Sequence, residues 1–278
     1  MAPLYLGIKK GFFKQQNLDV QPQVMQGGAE VVTGVVSGSQ DFGFAATEPL
    51  VVAKSKGLPV KIVTSGNQAA KQPSQAWSAI MVKGSSPVHS LKDLEGKTIA
   101  TNALKNTNQL AALELLRRAG VDVNKVKWAE IPFPDMPSAL QSGRVDAAAP
   151  VEPFVTLIGK AGGRIVSPLF AGVQPGMTIG IYFTTDKQIQ EDPQLVQRFA
   201  KAMNKSLDYA QAHPDEARQV IKTYTKIPPQ AVAKIHLPLW SSDLNRPTIE
   251  LMGKLAARFG YINGSVDMNQ LIWSGATG

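Results

Sequence analysis

Short runs of β-branched residues alternate with stretches of helical periodicity through the first two-thirds of this 278-residue chain, and that rhythm restricts the fold more than any other feature. A strand followed by a helix hides its apolar face when the helix packs back on a sheet, so repeated strand–helix units imply α/β layers around mainly parallel sheets. The pattern predicts strands over 18–25, 41–45 and 60–65, with helices over 29–37 and 49–56 between them. A further strand over 77–83 ends in Gly84-Ser85-Ser86-Pro87, a break able to bend.

After that break the rhythm restarts. Strands are predicted over 97–101, 126–131 and 145–149, and helices over 108–119, 136–142 and 154–160, stopped in turn by Gly120, Gly143 and Gly162-Gly163. A strand over 178–184 leads back, and from Asp186 onward the chain reads as helices over 193–213, 214–223, 228–235 and 248–259. The first three open on a proline, whose missing N–H costs nothing in a first turn. Single cores stop growing at about 250 to 300 residues, so two lobes are expected. Lobe I comprises 1–84 and 184–278, lobe II 85–183, and the two crossing strands form a natural hinge.

Composition narrows the function. At 44% hydrophobic and 18% charged the chain is globular, and no apolar run approaches the roughly 18 residues of a membrane span. Without cysteine it can build no disulfide, thiolate zinc site or cysteine nucleophile, and it suits an oxidising compartment. A net charge of +8 raises nucleic acid, acidic membranes and anionic solutes as partners. The lysines are scattered, however, and nucleic acid needs clustered phosphate contacts, so no nucleic-acid partner is expected. The opening Met1-Ala2-Pro3-Leu4-Tyr5 lacks the charged start and apolar stretch of a signal peptide.

No nucleophile elbow, phosphate loop or dinucleotide fingerprint occurs, and no cofactor or metal is expected. His89, His213 and His236 lie far apart and read as surface or capping residues. In open α/β sheets ligands sit beyond the carboxyl ends of strands, which points to Ala46-Thr47-Glu48, Ser65-Gly66-Asn67-Gln68 and the segment from Asn102 to Asn108. In the last, Lys105 and polar residues open a helix, where free N–H groups favour an anion; Asn106 or Thr107 can equally be a plain N-cap. Phe133, between Pro132 and Pro134, can form an apolar wall or belong to a stiff loop, and Glu152 reads mainly as structural, facing the next helix start or a lobe contact.

Four stretches resemble the nitrate, sulfonate and taurine-binding family of ABC-transporter receptors, relatives of the thiamine-precursor-binding proteins. They are A-P-L-Y-L-G-I-K-K-G-F-F-K-Q-Q-N-L-D-V (2–20), V-V-S-G-S-Q-D-F-G-F-A (35–45), L-K-D-L-E-G-K-T-I-A (91–100) and L-Q-S-G-R-V-D-A-A-A-P-V-E-P-F (140–154). The resemblance implies a type II periplasmic-binding-protein fold, with a small anionic organic solute held between the lobes and delivered to membrane permease subunits. It implies a monomer outside the cytoplasm, compatible with a lipid anchor on a longer precursor, and no catalysis. Carried over by position, the ligand residues are Tyr5 from the opening loop, Ala46, Thr47, Gly66 and Asn67, with Asn106, Thr107, Asn108, Phe133 and Glu152 facing them.

Two departures stand out. Family members begin with a strand upstream of the segment matching Ala2–Tyr5, so an N-terminally shortened form is expected. The A-L-K-N-T-N segment carries lysine and amides where sulfonate binders have a small Gly/Ser-rich turn, which leaves carboxylate, aromatic and heteroaromatic solutes open beside sulfonate. The rival class is an enzyme on the same fold, resembling a menaquinone-pathway dehydratase; the yeast-type pyrimidine-forming relatives carry a cysteine-rich iron site that this chain cannot build.

Overall fold

The computed structural model describes residues 1–278 apart from Gln26, Lys226, Pro228 and Gly278. Its strands are β1 (Gly43–Ala46), β2 (Val60–Gln68), β3 (Ala79–Val82), β4 (Thr98–Thr101), β5 (Lys127–Glu130), β6 (Ala147–Ala148), β7 (Arg164–Pro168) and β8 (Thr178–Thr185). The longer helices include α1 (Ala2–Lys9), α2 (Gly28–Val36), α3 (Thr47–Ser55), α4 (Thr107–Arg118) and α5 (Pro193–Ala212).

The chain forms two compact units. The first is Met1–Gln68, Thr178–Thr225 and Leu239–Gly278; the second is Ala69–Met177 and Lys226–Pro238. The boundaries fall after β2 and before β8 instead of near Gly84 and Thr184, because β3 pairs with β6 and β7 while β8 pairs with β1 and β2. A further excursion, Lys226–Pro238, also belongs to the second unit, where the amide of His236 donates to Glu152 Oε1 at 3.0 Å.

In the first unit the strand order is β1–β8–β2, and both outer strands run antiparallel to β8. The expected parallel arrangement is therefore interrupted: β1 and β2 each belong to a strand–helix rhythm, but the returning strand inserts between them. β8 is buried along its whole length, and its sequence Thr-Ile-Gly-Ile-Tyr-Phe-Thr-Thr is rich in the β-branched and aromatic residues that such a position favours. Two glycines let the strands close up under Phe44. A Cβ on Gly66 would lie 2.6 Å from the Phe44 ring and 2.8 Å from the Gly180 carbonyl oxygen, and one on Gly180 would lie 2.6 Å from the same ring.

α5 is opened by Asp192, whose carboxylate accepts from the Leu195 amide at 2.8 Å, with Pro193 in the first turn. It buries Val196, Phe199, Met203 and Leu207 along one stripe, the three- and four-residue spacing of an amphipathic helix. α1 meets α5 at Gly7, where any Cβ would collide with the Ser206 hydroxyl.

Residues 18–25 show the alternation expected of a strand: Leu18, Val20 and Pro22 are half-buried, and Asp19, Gln21 and Gln23 exposed. They nevertheless form no strand. Among the described residues β1 is bonded to β8 alone, and no strand pairs with the segment to complete a ladder.

The second unit holds a five-stranded sheet in the order β5–β4–β6–β3–β7. β4 runs parallel to both neighbours, and β3 antiparallel to both of its own. Small residues such as Ala100 and Ala148 line its core and let Met136, Leu140 and Ile158 pack closely on the sheet. β7 and the short helix Phe170–Val173 were not anticipated. β7 is only partly buried and ends in proline, which an edge strand tolerates but which reads as a loop in sequence. The helix expected over 228–235 lies partly outside the described residues, and those described include a single turn, Pro229–Val232.

One buried carboxylate ties this unit together. Glu114, 1% exposed, accepts from Arg117 Nε at 2.9 Å and Arg118 Nε at 2.7 Å, while Arg118 Nη1 donates to the Val173 carbonyl at 2.7 Å. The Arg117 guanidinium, helped by Arg118, holds the Glu114 carboxyl down at about 2 against the cost of burial. A depressed folded value contributes stability that is present above the ordinary carboxylate range and lost as pH falls toward about 2. Glu114→Gln is expected to lower unfolding free energy by about 1–3 kcal/mol at pH 7. The gap from the parent chain should narrow on acidification, as read by urea unfolding at pH 7, 4 and 3.

Candidate functional site

In the first unit, register places three of the singled-out positions side by side. Gly180 of β8 is the partner of Ala46 on one side and Asn67 on the other. Ala46 is the N-cap of α3, and the following hydroxyl, Thr47 Oγ1, donates to the carbonyls of Thr178 and Ile179 at 3.1 and 3.2 Å. Thr47 is fully buried, so its proton serves to pin the β1–α3 turn on β8.

The segment 65–68, expected as a connection, is still strand. β2 runs to Gln68 with register shifts at Ser65/Asn67 and Asn67/Gln68, bulges that turn side chains out of the regular alternation. Ser65 Oγ and Asn67 Oδ1 are both buried and, among the described residues, have no hydrogen-bond partner.

Tyr5 lies within α1 and not in an opening loop, stacked on Tyr224 with ring centroids 4.1 Å apart.

In the second unit β5, β4 and β6 are parallel, so their carboxyl ends share one edge. Asn106, Thr107, Asn108, Phe133 and Glu152 all follow those ends. Asn106 is the N-cap of α4: its Oδ1 accepts from the Gln109 amide at 2.9 Å and from Thr101 Oγ1 at 3.1 Å, and its Nδ2 donates to Asn102 Oδ1 at 2.7 Å. Asn108 donates to the Ala149 carbonyl at 3.0 Å, locking α4 to the end of β6. Lys105, at φ +49°, makes the left-handed turn before the cap and donates its amide to Gln109 Oε1 at 2.6 Å.

Asn106 and Asn108 are thus engaged by the protein itself. Thr107 is not. It is the first residue of α4, 4% exposed, and among the described residues its Oγ1 has no partner. An unpaired hydroxyl beside the free amides of a 12-residue helix offers donors to an anion without any formal charge.

Phe133 is half-buried, stacked near Phe154 at 6.2 Å, and packs on the core. Glu152 is fully occupied: Oε2 accepts from the Thr156 amide at 3.0 Å, and Oε1 from Thr156 Oγ1 at 2.8 Å and the His236 amide. It closes the start of the helix Phe154–Lys160 and anchors the returning segment. His213 stacks on Tyr209 at the end of α5, with Nδ1 2.9 Å from the Tyr209 carbonyl oxygen.

Sequence reasoning left Ser65 out of the ligand set although it opens the singled-out quartet; its orphaned hydroxyl depends on a bulge that no pattern announces. Glu48 was noted only in passing. It is 4% exposed in the first turn of α3, and burial pushes its carboxyl up to about 8. Among the described residues no group of three histidines, cysteines or carboxylates is placed to hold a metal ion, and no helix is long and apolar enough to cross a membrane.

One antiparallel and one mixed sheet, with polar groups gathered at strand ends, define the class of the periplasmic-binding-protein fold. The periplasmic aliphatic sulphonate binding protein SsuA from Escherichia coli superposes with a TM-score of 0.82 at 18% identity, covering 99% of this chain and 90% of that one. The chain belongs to the family described as NMT1/THI5 like, which matches residues 1–217. It is 24% identical over 204 residues to the taurine-binding periplasmic protein of Escherichia coli K12, covering 73% of this chain and 61% of that protein. It is 27% identical over 228 residues to the 4-amino-5-hydroxymethyl-2-methylpyrimidine phosphate synthase of Candida albicans, covering 77% and 65%. The chain therefore spans somewhat under two-thirds of the length of these curated relatives.

The Glu48 carboxyl yields a pH test. Its folded value of about 8 lies above the ordinary one, so from about pH 4.5 upward the unfolded chain ionises first and folding stability falls, levelling only above about pH 8. The limiting slope is about 1.4 kcal/mol per pH unit. Glu48→Gln should flatten this decline and be the more stable form at pH 8, measured by urea unfolding at pH 5, 6.5 and 8.

Proposed function

We propose that this chain is the solute-binding component of an ABC importer, acting outside the cytoplasmic membrane, and that it takes up a small anionic organic solute without transforming it. A solute that engages groups of both units favours the arrangement in which both reach it, and a membrane permease then receives that form. The protein works as a monomer. Sulfonates, carboxylates and anionic heteroaromatics are the candidate guests.

The orphaned Thr107 hydroxyl at the start of α4 carries this reading. Burying a hydroxyl without a partner costs about 1–3 kcal/mol, a cost that a bound acceptor removes. In the first unit the Ser65 hydroxyl adds a second unpaired buried donor, while the unpaired Asn67 Oδ1, an acceptor, suits a donor group of the solute. The relatives named for taurine and aliphatic sulphonate binding point to the same kind of guest.

A second reading follows from the synthase relative, namely an enzyme on this fold. Against it stands Glu152, whose carboxylate is consumed by three hydrogen bonds.

The test is a thermal-shift screen with taurine, longer alkanesulfonates, nitrate, aromatic carboxylates and pyrimidines. A ligand at 100 times its Kd stabilises the native state by about 2.7 kcal/mol, a shift easily read. Thr107→Val should weaken the best ligand about tenfold while leaving the unliganded melting temperature unchanged or higher. No shift from any member of the panel overturns the receptor reading; conversion of a bound compound, followed by mass spectrometry, establishes the enzyme instead.

A further inference from the structure

Two separated stretches of the chain carry cations and no carboxylate. Residues 1–18 hold Lys9, Lys10 and Lys14, residues 193–207 hold Arg198, Lys201 and Lys205, and neither stretch contains Asp or Glu. The fold of the first unit brings them together. α1 lies so close on α5 that a Cβ at Gly7 would collide with Ser206, and the turn Lys14–Gln16 that follows α1 is tied to α5 twice. Arg198 Nη1 donates to the Gln16 carbonyl at 3.4 Å, and Lys205 Nζ donates to Gln15 Oε1 at 2.9 Å.

Positions 198, 201 and 205 follow the three- and four-residue spacing of a single helix stripe. That stripe faces away from Val196, Phe199, Met203 and Leu207, which α5 buries. Lys9, Lys10, Lys14, Lys201 and Lys205 are exposed, and Arg198 is half-buried. Two of the ammonium groups rest on rings: Lys10 Nζ is 5.0 Å from the centre of Tyr209, and Lys205 Nζ is 4.4 Å from that of Phe12.

Elsewhere on the surface cations are matched, as Lys54 is with Asp186, Lys125 with Glu95 and Lys187 with Glu191. On this face Lys10 is paired with Glu216 at 2.7 Å, but among the described residues Lys9, Lys14, Arg198, Lys201 and Lys205 form no ion pair. The first carboxylate further along α5, Asp208, accepts from the Ser242 amide at 3.1 Å.

Charges spread over two helices and a turn cannot all reach one small anion; they match an extended anionic surface. Nothing apolar is offered for insertion. Among the described residues the large hydrophobic side chains left exposed are Val24, Leu104 and Ile165, none of them on α1 or α5. No ring is free to stack on bases either, since Phe12 and Phe13 are buried and Tyr209 is stacked against His213. Lysine, a compact and strongly hydrated charge, suits headgroups that it approaches without a fixed bidentate bond.

We propose that the face formed by Lys9, Lys10, Lys14, Arg198, Lys201 and Lys205 is a docking surface for a membrane rich in anionic lipid, held by charge alone and therefore reversible. It serves whatever the first unit binds at its strand ends, so its loss would not touch the solute-binding reading.

The test sediments the chain with vesicles of phosphatidylcholine alone or with about 30% phosphatidylglycerol, at about 50 mM and about 500 mM salt. Binding is expected to the anionic vesicles at the lower salt, and release at the higher, where screening confines each charge to a few ångström. Each basic residue near an anionic surface is worth a factor of about five, so Lys14→Gln with Lys201→Gln should weaken binding about thirtyfold. Lys92→Gln with Lys160→Gln, at exposed positions of the second unit, lowers the net charge equally and should change binding less than about threefold. Both double variants should keep the parent melting temperature. Equal binding to the two lipid compositions, binding to neither, or an equal loss in the two double variants overturns the proposal. So does a DNA duplex that binds more tightly than the vesicles and loses the same factor in the first variant, an outcome that assigns the face to nucleic acid.

Discussion

Burial of β8 between two antiparallel partners is the constraint on which the first unit rests. β8 is bonded on both edges, covered on both faces, and receives the Thr47 hydroxyl on its Thr178 and Ile179 carbonyls. It therefore sets the positions of Ala46 and Asn67, which meet it at the same residue from opposite sides. Because side chains alternate along a strand, a slip of one residue would reverse the faces of everything β8 carries. The glycines under Phe44 resist such a slip, since the ring fits only where no Cβ stands.

The unpaired polar groups of the candidate site are neutral. Although the chain carries a net charge of +8, the buried side-chain oxygens left without partners among the described residues are those of Ser65, Asn67 and Thr107, hydroxyl and amide groups in bulged strand or at a helix start. In general a neutral hydroxyl at a helix start meets an anion by geometry more than by long-range attraction, and releases it without breaking a buried ion pair. The charged groups that are buried do other work: Glu114 holds two arginines, and Glu48 stays neutral at pH 7.

Much of this was legible from residues alone. The helix expected over 108–119 starts one residue earlier, at Thr107, with Asn106, one of the two caps the sequence offered, in the cap position, and the helix over 154–160 was read to the residue. What sequence periodicity does not report is the partner of a strand. Residues 18–25 have strand alternation and no ladder, β8 joins a sheet antiparallel to both neighbours, and β2 continues through a bulge where a connection was expected. The same limit explains the site. Asn106 and Thr107 are adjacent and similar in sequence, yet one is spent on Gln109, Thr101 and Asn102 and the other is not, a distinction made only by packing.

The Phe44 ring resting on Gly66 and Gly180 has a consequence for how this scaffold can diversify. A single aromatic plane blocks side-chain growth on two neighbouring strands at once, and because the Gly180 backbone also bars a Cβ on Gly66, replacing the ring alone would not free that position. Single substitutions that change this part of the sheet are thereby channelled away from the two glycines, while the floor beneath Phe44 stays frozen.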